Sequence, residues 1–180
     1  LDIVLVSVWP KLHAAITVAA AKAGVKAVLC EKPIASNLGE AREMLEACRA
    51  AGTRLVIGHQ HRFNPNIDLA RELLEKGEIG AVHRASAHCP SSLINNGSHL
   101  IDTLLYLMGQ PEIVAVSGEL EFAPGLANRD QRVEKNSRGR IELEGGAIAT
   151  ITLGEDEKRP FGWHFEGEGG SLDVGMESVV

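Results

Sequence analysis

The chain lacks the means to be a cross-linked, metal-clustered or membrane-crossing protein. Its three cysteines, Cys30, Cys48 and Cys89, are odd in number and widely scattered. That argues against a disulfide framework or a zinc site and for a reducing compartment, the cytoplasm. No pair among His59, His61 and His88 has metal-ligand spacing. No apolar run reaches the length of a membrane span. Basic tracts are missing as well: 18 Lys and Arg stand against 24 Asp and Glu, a net charge of −6, so binding to nucleic acid is not expected. Trp9 and Trp163 lie far apart and make no base-stacking platform. There is no internal repeat. There is also no initiator Met; the text opens inside a strand-like run at Leu1, which is expected of an incomplete chain and leaves any targeting segment unreadable.

What is present is an apolar content of 44% over 180 residues, enough for one large domain or two small ones. The stretch that organises the rest is Ala27–Pro33, Ala-Val-Leu-Cys-Glu-Lys-Pro. An apolar run that ends on an acid, an amine and a proline sets titratable groups at a strand's carboxyl edge, where open parallel sheets bind ligands. Pro33 biases Lys32 towards an extended backbone. The alternative is a solvated lysine in a strand-to-helix turn.

Leu1–Val8 reads as a strand buried on both faces. Lys11–Ala23 reads as an Ala-rich helix closed by Gly24, and Val25–Cys30 as the second strand. Asn37 with Glu40 resembles a capping box opening a helix whose apolar positions are Ala41, Met44, Leu45 and Cys48, ending near Gly52. Arg54–Gly58 is a third strand, and Pro65 starts a helix through about Lys76. Such strand–helix alternation makes a parallel sheet with right-handed crossovers. Its strand ends bring Val8-Trp9-Pro10, Cys30-Glu31-Lys32-Pro33 and Gly58-His59-Gln60-His61 to one edge.

After Gly80 the pattern changes. Ala81–His88 reads as a strand, and Ser98–Met108 as a helix stopped by Gly109, with His99, Asp102, Thr103 and Tyr106 opposite its apolar face. Strands and hairpins follow. Gly145-Gly146 signals a two-residue turn between Arg140–Glu144 and Ala147–Leu153, and Gly-Glu-Gly-Gly joins Phe161–Glu166 to Ser171–Val174. Asn128–Arg138 reads as a polar loop. The fold class expected is α/β: an incomplete Rossmann-type parallel sheet over residues 1–65, then an α+β domain with a mainly antiparallel open sheet over 66–180.

Four motifs stand in order: Trp-Pro-x-x-His (Trp9 to His13), Cys-Glu-Lys-Pro (Cys30 to Pro33), Gly58-His-Gln-His-Arg-Phe-Asn-Pro65 and Asn96-Gly-Ser-His-Leu-Ile-Asp102. In order and spacing the chain resembles the glucose–fructose oxidoreductase / inositol dehydrogenase / rhizopine-catabolism (Gfo/Idh/MocA) family of NAD(P)-dependent oxidoreductases. The resemblance implies NAD or NADP as cofactor and oxidation of a secondary hydroxyl on a sugar, polyol or sugar derivative. It implies Lys32 and His99 as the catalytic pair handling the hydroxyl proton. It implies cofactor contacts from Val8, Trp9, Pro10, His13, Glu31, Lys32 and Pro33. It points to His61, His88, Asn95 and Asn96 for substrate, His61 falling where relatives often carry an arginine. It implies a homo-oligomer formed through the C-terminal sheet.

This sequence departs from the family in two ways. The glycine-rich pyrophosphate turn of the first half of the dinucleotide domain is not in it, which implies a piece of a longer chain. Asn95 replaces the aspartate that many relatives carry four residues before the histidine, and the His88–His99 stretch is short. Asparagine can orient a hydroxyl but cannot serve as a base. Two other readings therefore stay open: a non-catalytic dinucleotide-binding regulator, and a scaffold whose sheet mediates assembly. At residue level, Asp102 reads as a helix-start acid, Cys30 as packed, and His59, His61 and His88 equally well as ordinary polar positions.

Overall fold

Three short aliphatic runs build the first sheet. In the computed structural model, which describes residues 1–128 and 131–180, they form β1 (Ile3–Val6), β2 (Ala27–Cys30) and β3 (Arg54–Ile57), parallel and in the order β1-β2-β3. Helix α1 (Pro10–Lys22) connects the first two and α2 (Leu38–Ala51) the last two. Pro10 is the first residue of α1, where its missing N–H costs nothing. Asn37 caps α2 by accepting the Glu40 N–H, and the Glu40 carboxylate returns to the Ser36 N–H, 3.0 Å away. Gly52 ends that helix in the left-handed region. These elements form one unit, Leu1–His59.

Burial in this unit differs from the sequence reading. Val6, Val28, Cys30 and Met44 make a small core under α1 and α2. The other side of the sheet is uncovered: Leu5, Leu29 and Val56 pair across all three strands at 64%, 40% and 52% exposure. Within the described residues, the Leu1–Val8 strand is buried on the face that α1 and α2 both cover. Leu45 likewise faces solvent, whereas Ala41, Met44 and Cys48 are buried.

The second unit, Gln60–Val180, begins with a 3-10 turn, Gln60–Phe63, and α3 (Pro65–Glu75). Strand β4 (Val82–Cys89), a π-helical turn (Leu93–Gly97) and α4 (Ser98–Leu107) follow. Then come β5 (Ile113–Glu121), the two-residue strands β6 (Ala127–Asn128) and β7 (Gln131–Arg132), β8 (Asn136–Leu143), β9 (Ile148–Gly154), β10 (Gly162–Gly167) and β11 (Ser171–Gly175). Six of these make a sheet in the order β11-β10-β4-β9-β8-β5, antiparallel except for β4 against β9.

Strand alternation sends Ala85, Ala87, Cys89, Trp163, Phe165, Ala149, Ile151 and Leu153 to one face, where Ile67, Leu100, Leu104 and Leu107 of α3 and α4 meet them. β5 lies outside that cover, all nine of its residues exposed. The turn between β8 and β9 is three residues long, Glu144–Gly146, not two. Both its glycines have positive φ, and the Leu143 N–H closes it on the Ala147 carbonyl. The expected loop over Asn128–Arg138 is shortened, since Asn136–Arg138 belongs to β8; residues 129–130 of it lie outside the described residues. No helix among the described residues is long and apolar enough to cross a membrane.

Candidate functional site

In the first unit the groups of interest gather where β1, β2 and β3 end. The Lys32–Pro33 peptide bond is cis, and Glu31 turns its carboxylate onto the Lys32 N–H at 3.3 Å. Glu31, Lys32 and Pro33 are half-buried, whereas Val8 and Trp9 are exposed at 41% and 49%. His13 is fully buried beneath these strand ends. Its Nδ1 lies 2.9 Å from the Pro33 carbonyl and its Nε2 3.0 Å from the Val8 carbonyl. Both neighbours are acceptors, so the nitrogen that carries the proton donates to one of them, and the ring sits wedged between the end of β2 and that of β1. His13 thus supports the edge from below. At the surface of that edge, Val8 and Trp9 offer apolar area and Glu31 an acceptor. This donor set suits a flat, weakly polar ring joined to a sugar hydroxyl, as in a nicotinamide nucleoside, and Val8, Trp9, Glu31 and Lys32 are the residues that would hold it.

The second unit assembles a different group. His99 is 3% exposed and stacks on His61, ring centroids 4.2 Å apart and planes 14° from parallel. Phe161 meets the His61 ring edge-on at 5.2 Å and Trp163 at 5.1 Å. The Trp163 indole N–H donates to the Leu100 carbonyl at 2.9 Å, joining this aromatic column to α4 beside His99. Arg62, next to His61, grips Asp102 with two hydrogen bonds of 2.8 and 2.6 Å and lies over the Tyr106 ring. Asp102 raises the Arg62 pKa through those bonds. The aspartate therefore anchors the turn that carries His61, and it does not stand at the helix start where the sequence reading places it.

The setting of His99 differs from the sequence reading in one respect. Helical backbone begins before α4, at Leu93, and runs through Gly97 (φ −59°, ψ −36°) without a break. The cap is Ser92, whose hydroxyl accepts the Asn95 N–H. His99 is consequently more than a turn inside a continuous helical run, and the end-of-helix field that would disfavour its charge has weakened there. The buried Glu134 carboxylate accepts the Leu93 N–H and fixes this run at its start. Asn95 is exposed and reaches Ser91 at 3.3 Å, whereas Asn96 turns to the buried Cys89 thiol. Burial pushes that thiol up to about 11, which leaves it an inert neutral group.

His88 does not join the His61–His99 pair. Its neighbours Ala87 and Cys89 point into the core, so His88 projects from the opposite face of the sheet. There it shares surroundings with Glu157, Arg159, His164 and Asp173, and desolvation, followed by the Arg159 charge, lowers its pKa. Arg62, Phe161 and Glu134 are the residues the sequence reading did not single out. Only Arg62, directly after His61 within a quoted motif, carried a signal. The described residues hold no group of three or more metal-ligating side chains.

Comparisons with known proteins agree with this architecture. Residues 1–59 match the model of an oxidoreductase family with an NAD-binding Rossmann fold, and residues 90–173 match the Gfo/Idh/MocA C-terminal domain. A 1,5-anhydro-D-fructose reductase of Ensifer adhaerens is 44% identical over 82% of this chain and 49% of its own. Inositol 2-dehydrogenase 3 of Saccharopolyspora erythraea is 36% identical over 84% of this chain and 47% of its own. The chain thus spans about half the length of these relatives. Among solved structures, the WlbA dehydrogenase from Bordetella pertussis, in complex with NADH and UDP-GlcNAcA, aligns over 97% of this chain and 56% of its own. Its TM-score is 0.83 at 22% identity, a likeness of fold. With both halves of the family's architecture matched in order, the chain belongs to the Gfo/Idh/MocA family of oxidoreductases.

Proposed function

We propose that the protein of which these residues are part is an NAD(P)-dependent dehydrogenase acting on a secondary hydroxyl of a sugar, polyol or sugar derivative. The observation that carries this reading is the end of β2, where Lys32 emerges at the carboxyl edge of a parallel sheet beside exposed Val8 and Trp9. The relatives named as a polyol dehydrogenase and an anhydro-sugar reductase support the substrate class.

The chemistry has two halves. The bound nicotinamide would supply the acceptor for the hydride leaving the carbinol carbon. The chain must supply a base for the hydroxyl proton, and Lys32 takes it on Nζ as the O–H bond breaks and the carbonyl forms. The half-buried position of Lys32 at the strand end suits the task. His99 carries the proton onward. Glu31 holds the backbone at Lys32, and His13 fixes the strand end from which Lys32 projects. The cysteines are all free and buried, in keeping with a cytoplasmic setting, and the uncovered strand β5 offers a surface for self-assembly.

The test is reduction of NAD and NADP by the full-length chain against a panel of polyols and sugars, with Lys32→Ala beside it. Undiminished turnover in that variant removes Lys32 from the mechanism. The second reading, a dinucleotide-binding regulator, is favoured by Asn95 standing where many relatives have aspartate. It predicts cofactor binding with no turnover of any panel member.

A further inference from the structure

A helix leaves its first N–H groups without intrahelical partners. The run that carries His99 opens on a π-helical turn, Leu93–Gly97, a form that is rare in proteins and frequent at functional sites. Two of its opening amides are served locally: Ser92 accepts the Asn95 N–H on its hydroxyl and carbonyl, and the Asn96 N–H on its carbonyl. The Leu93 N–H is served from elsewhere. Its acceptor is the carboxylate of Glu134, 41 residues further along the chain and 5% exposed.

Glu134 is itself held on both sides. The Val133 N–H donates to the Leu126 carbonyl at 3.4 Å, and the Lys135 N–H to the carbonyl of Glu121, the last residue of β5, at 2.7 Å. The Lys135 carbonyl accepts the Glu155 N–H, just past β9, at 2.9 Å. The carboxylate is thus tied to the sheet before it reaches the turn. The turn is gripped at other points too. The Leu93 side chain lies over Gly97, where an added Cβ would stand 2.5 Å from Leu93 Cδ1, so the turn closes only on a glycine. Asn96 reaches the Cys89 thiol of β4. A buried carboxylate is a costly way to fill space. What it adds is a directed bond that fixes where the helical run begins.

We propose that Glu134 is a positioning residue: by holding the Leu93 N–H it sets the rotation and height of the run on which Asn95, Asn96 and His99 stand. The consequence for turnover rests on the dehydrogenase reading above, in which His99 passes on the hydroxyl proton; the anchoring itself does not. Asn95 and Asn96 lie two and three residues from the anchored amide and His99 six. Release of the anchor therefore moves the two asparagines, the candidate substrate contacts, more than the histidine. A misplacement of about 1 Å in such groups costs up to about 10²-fold in rate.

The experiment compares the full-length chain as wild type, Glu134→Met and Glu134→Gln, by amide hydrogen exchange read at Leu93 and by steady-state turnover. Methionine fills similar space without an acceptor, whereas glutamine keeps an acceptor oxygen. The Leu93 amide is expected to be protected in the wild type and in Glu134→Gln, and to exchange about tenfold faster in Glu134→Met. In Glu134→Met, kcat/KM for the hydroxyl substrate should fall by about 10–100-fold with the KM for the dinucleotide unchanged, and it should recover in Glu134→Gln. An unprotected Leu93 amide in the wild type, or equal protection in all three chains, overturns the anchor. Turnover that is undiminished in Glu134→Met, or that falls alike in both variants, overturns the positioning role. If Glu134→Met does not fold, Glu134→Asp, whose carboxylate stops one methylene short of the amide, replaces it and is held to the same outcomes. A full-length chain with a protected Leu93 amide that never reduces NAD or NADP ends the dehydrogenase reading and leaves the anchor standing.

Discussion

The two sheets place their chemistry in opposite surroundings. In the first unit the reactive groups stand on turns at the strand ends, above a core of small side chains such as Val6, Val28 and Cys30. In the second, His99 and His61 are part of the packing, bracketed by Phe161, Trp163 and the helix-side core. Function and stability should therefore separate in the first unit and travel together in the second. A lysine on a turn can be lost without opening a cavity. A ring in a packed column cannot.

The sharpest way to break this contrast is Lys32→Ala. Turnover of the full-length chain should fall by about 10²–10⁴, the usual worth of a positioned acid–base group, with its melting temperature unchanged. A large drop in melting temperature would show that the strand end is structural after all. Next comes Leu104→Ala, which empties a fully buried position in the second unit. It should cost about 2–5 kcal/mol in denaturant unfolding and should broaden the His99 ring signal as the helix beneath it loosens. Val28→Ala in the first unit removes two carbons from a thinner core, about 2 kcal/mol, and should leave that signal alone.

A smaller effect separates the sheet's two faces. Arg159 hydrogen bonds hold the Glu157 carboxyl down at about 2, below the unfolded value near 4.3. The folded chain then binds fewer protons than the unfolded one through this interval. Its stabilisation is complete above about pH 5 and is lost as pH falls towards 2. With Arg159 half exposed, roughly 1–2 kcal/mol is expected. Acid unfolding of Glu157→Gln should lack that component. Smallest is Asn37→Ala, which removes the α2 cap and should cost about 1 kcal/mol by thermal melting, with turnover unaffected.

Local signals carried much of this architecture into the sequence. Asn37 with Glu40, Pro10 and Gly52 are stop and start residues whose effects act within one turn, and each is found where such residues belong. Burial was less legible. The one-sided exposure of Leu5, Leu29 and Val56 depends on which face the crossover helices take, and an aliphatic run looks the same either way. The π-helical turn ahead of α4 was also hidden, because Leu-Ile-Asn-Asn-Gly reads as loop until Glu134, some forty residues on, accepts the Leu93 N–H. At the candidate site, Lys32 and His99 were named by the family resemblance that the quoted motifs carry. The stacking of His61 on His99 is a tertiary fact, and no spacing announces it.

The two tryptophans give the chain a spectroscopic division of labour. Trp163 is 1% exposed and hydrogen-bonded to Leu100, so its emission should be blue-shifted and sensitive to any loosening at the start of α4. Trp9, nearly half exposed beside the strand ends, should emit further to the red and be open to collisional quenchers. Iodide quenching resolved by emission wavelength would then follow a ligand arriving at one unit and a rearrangement in the other within a single unlabelled sample.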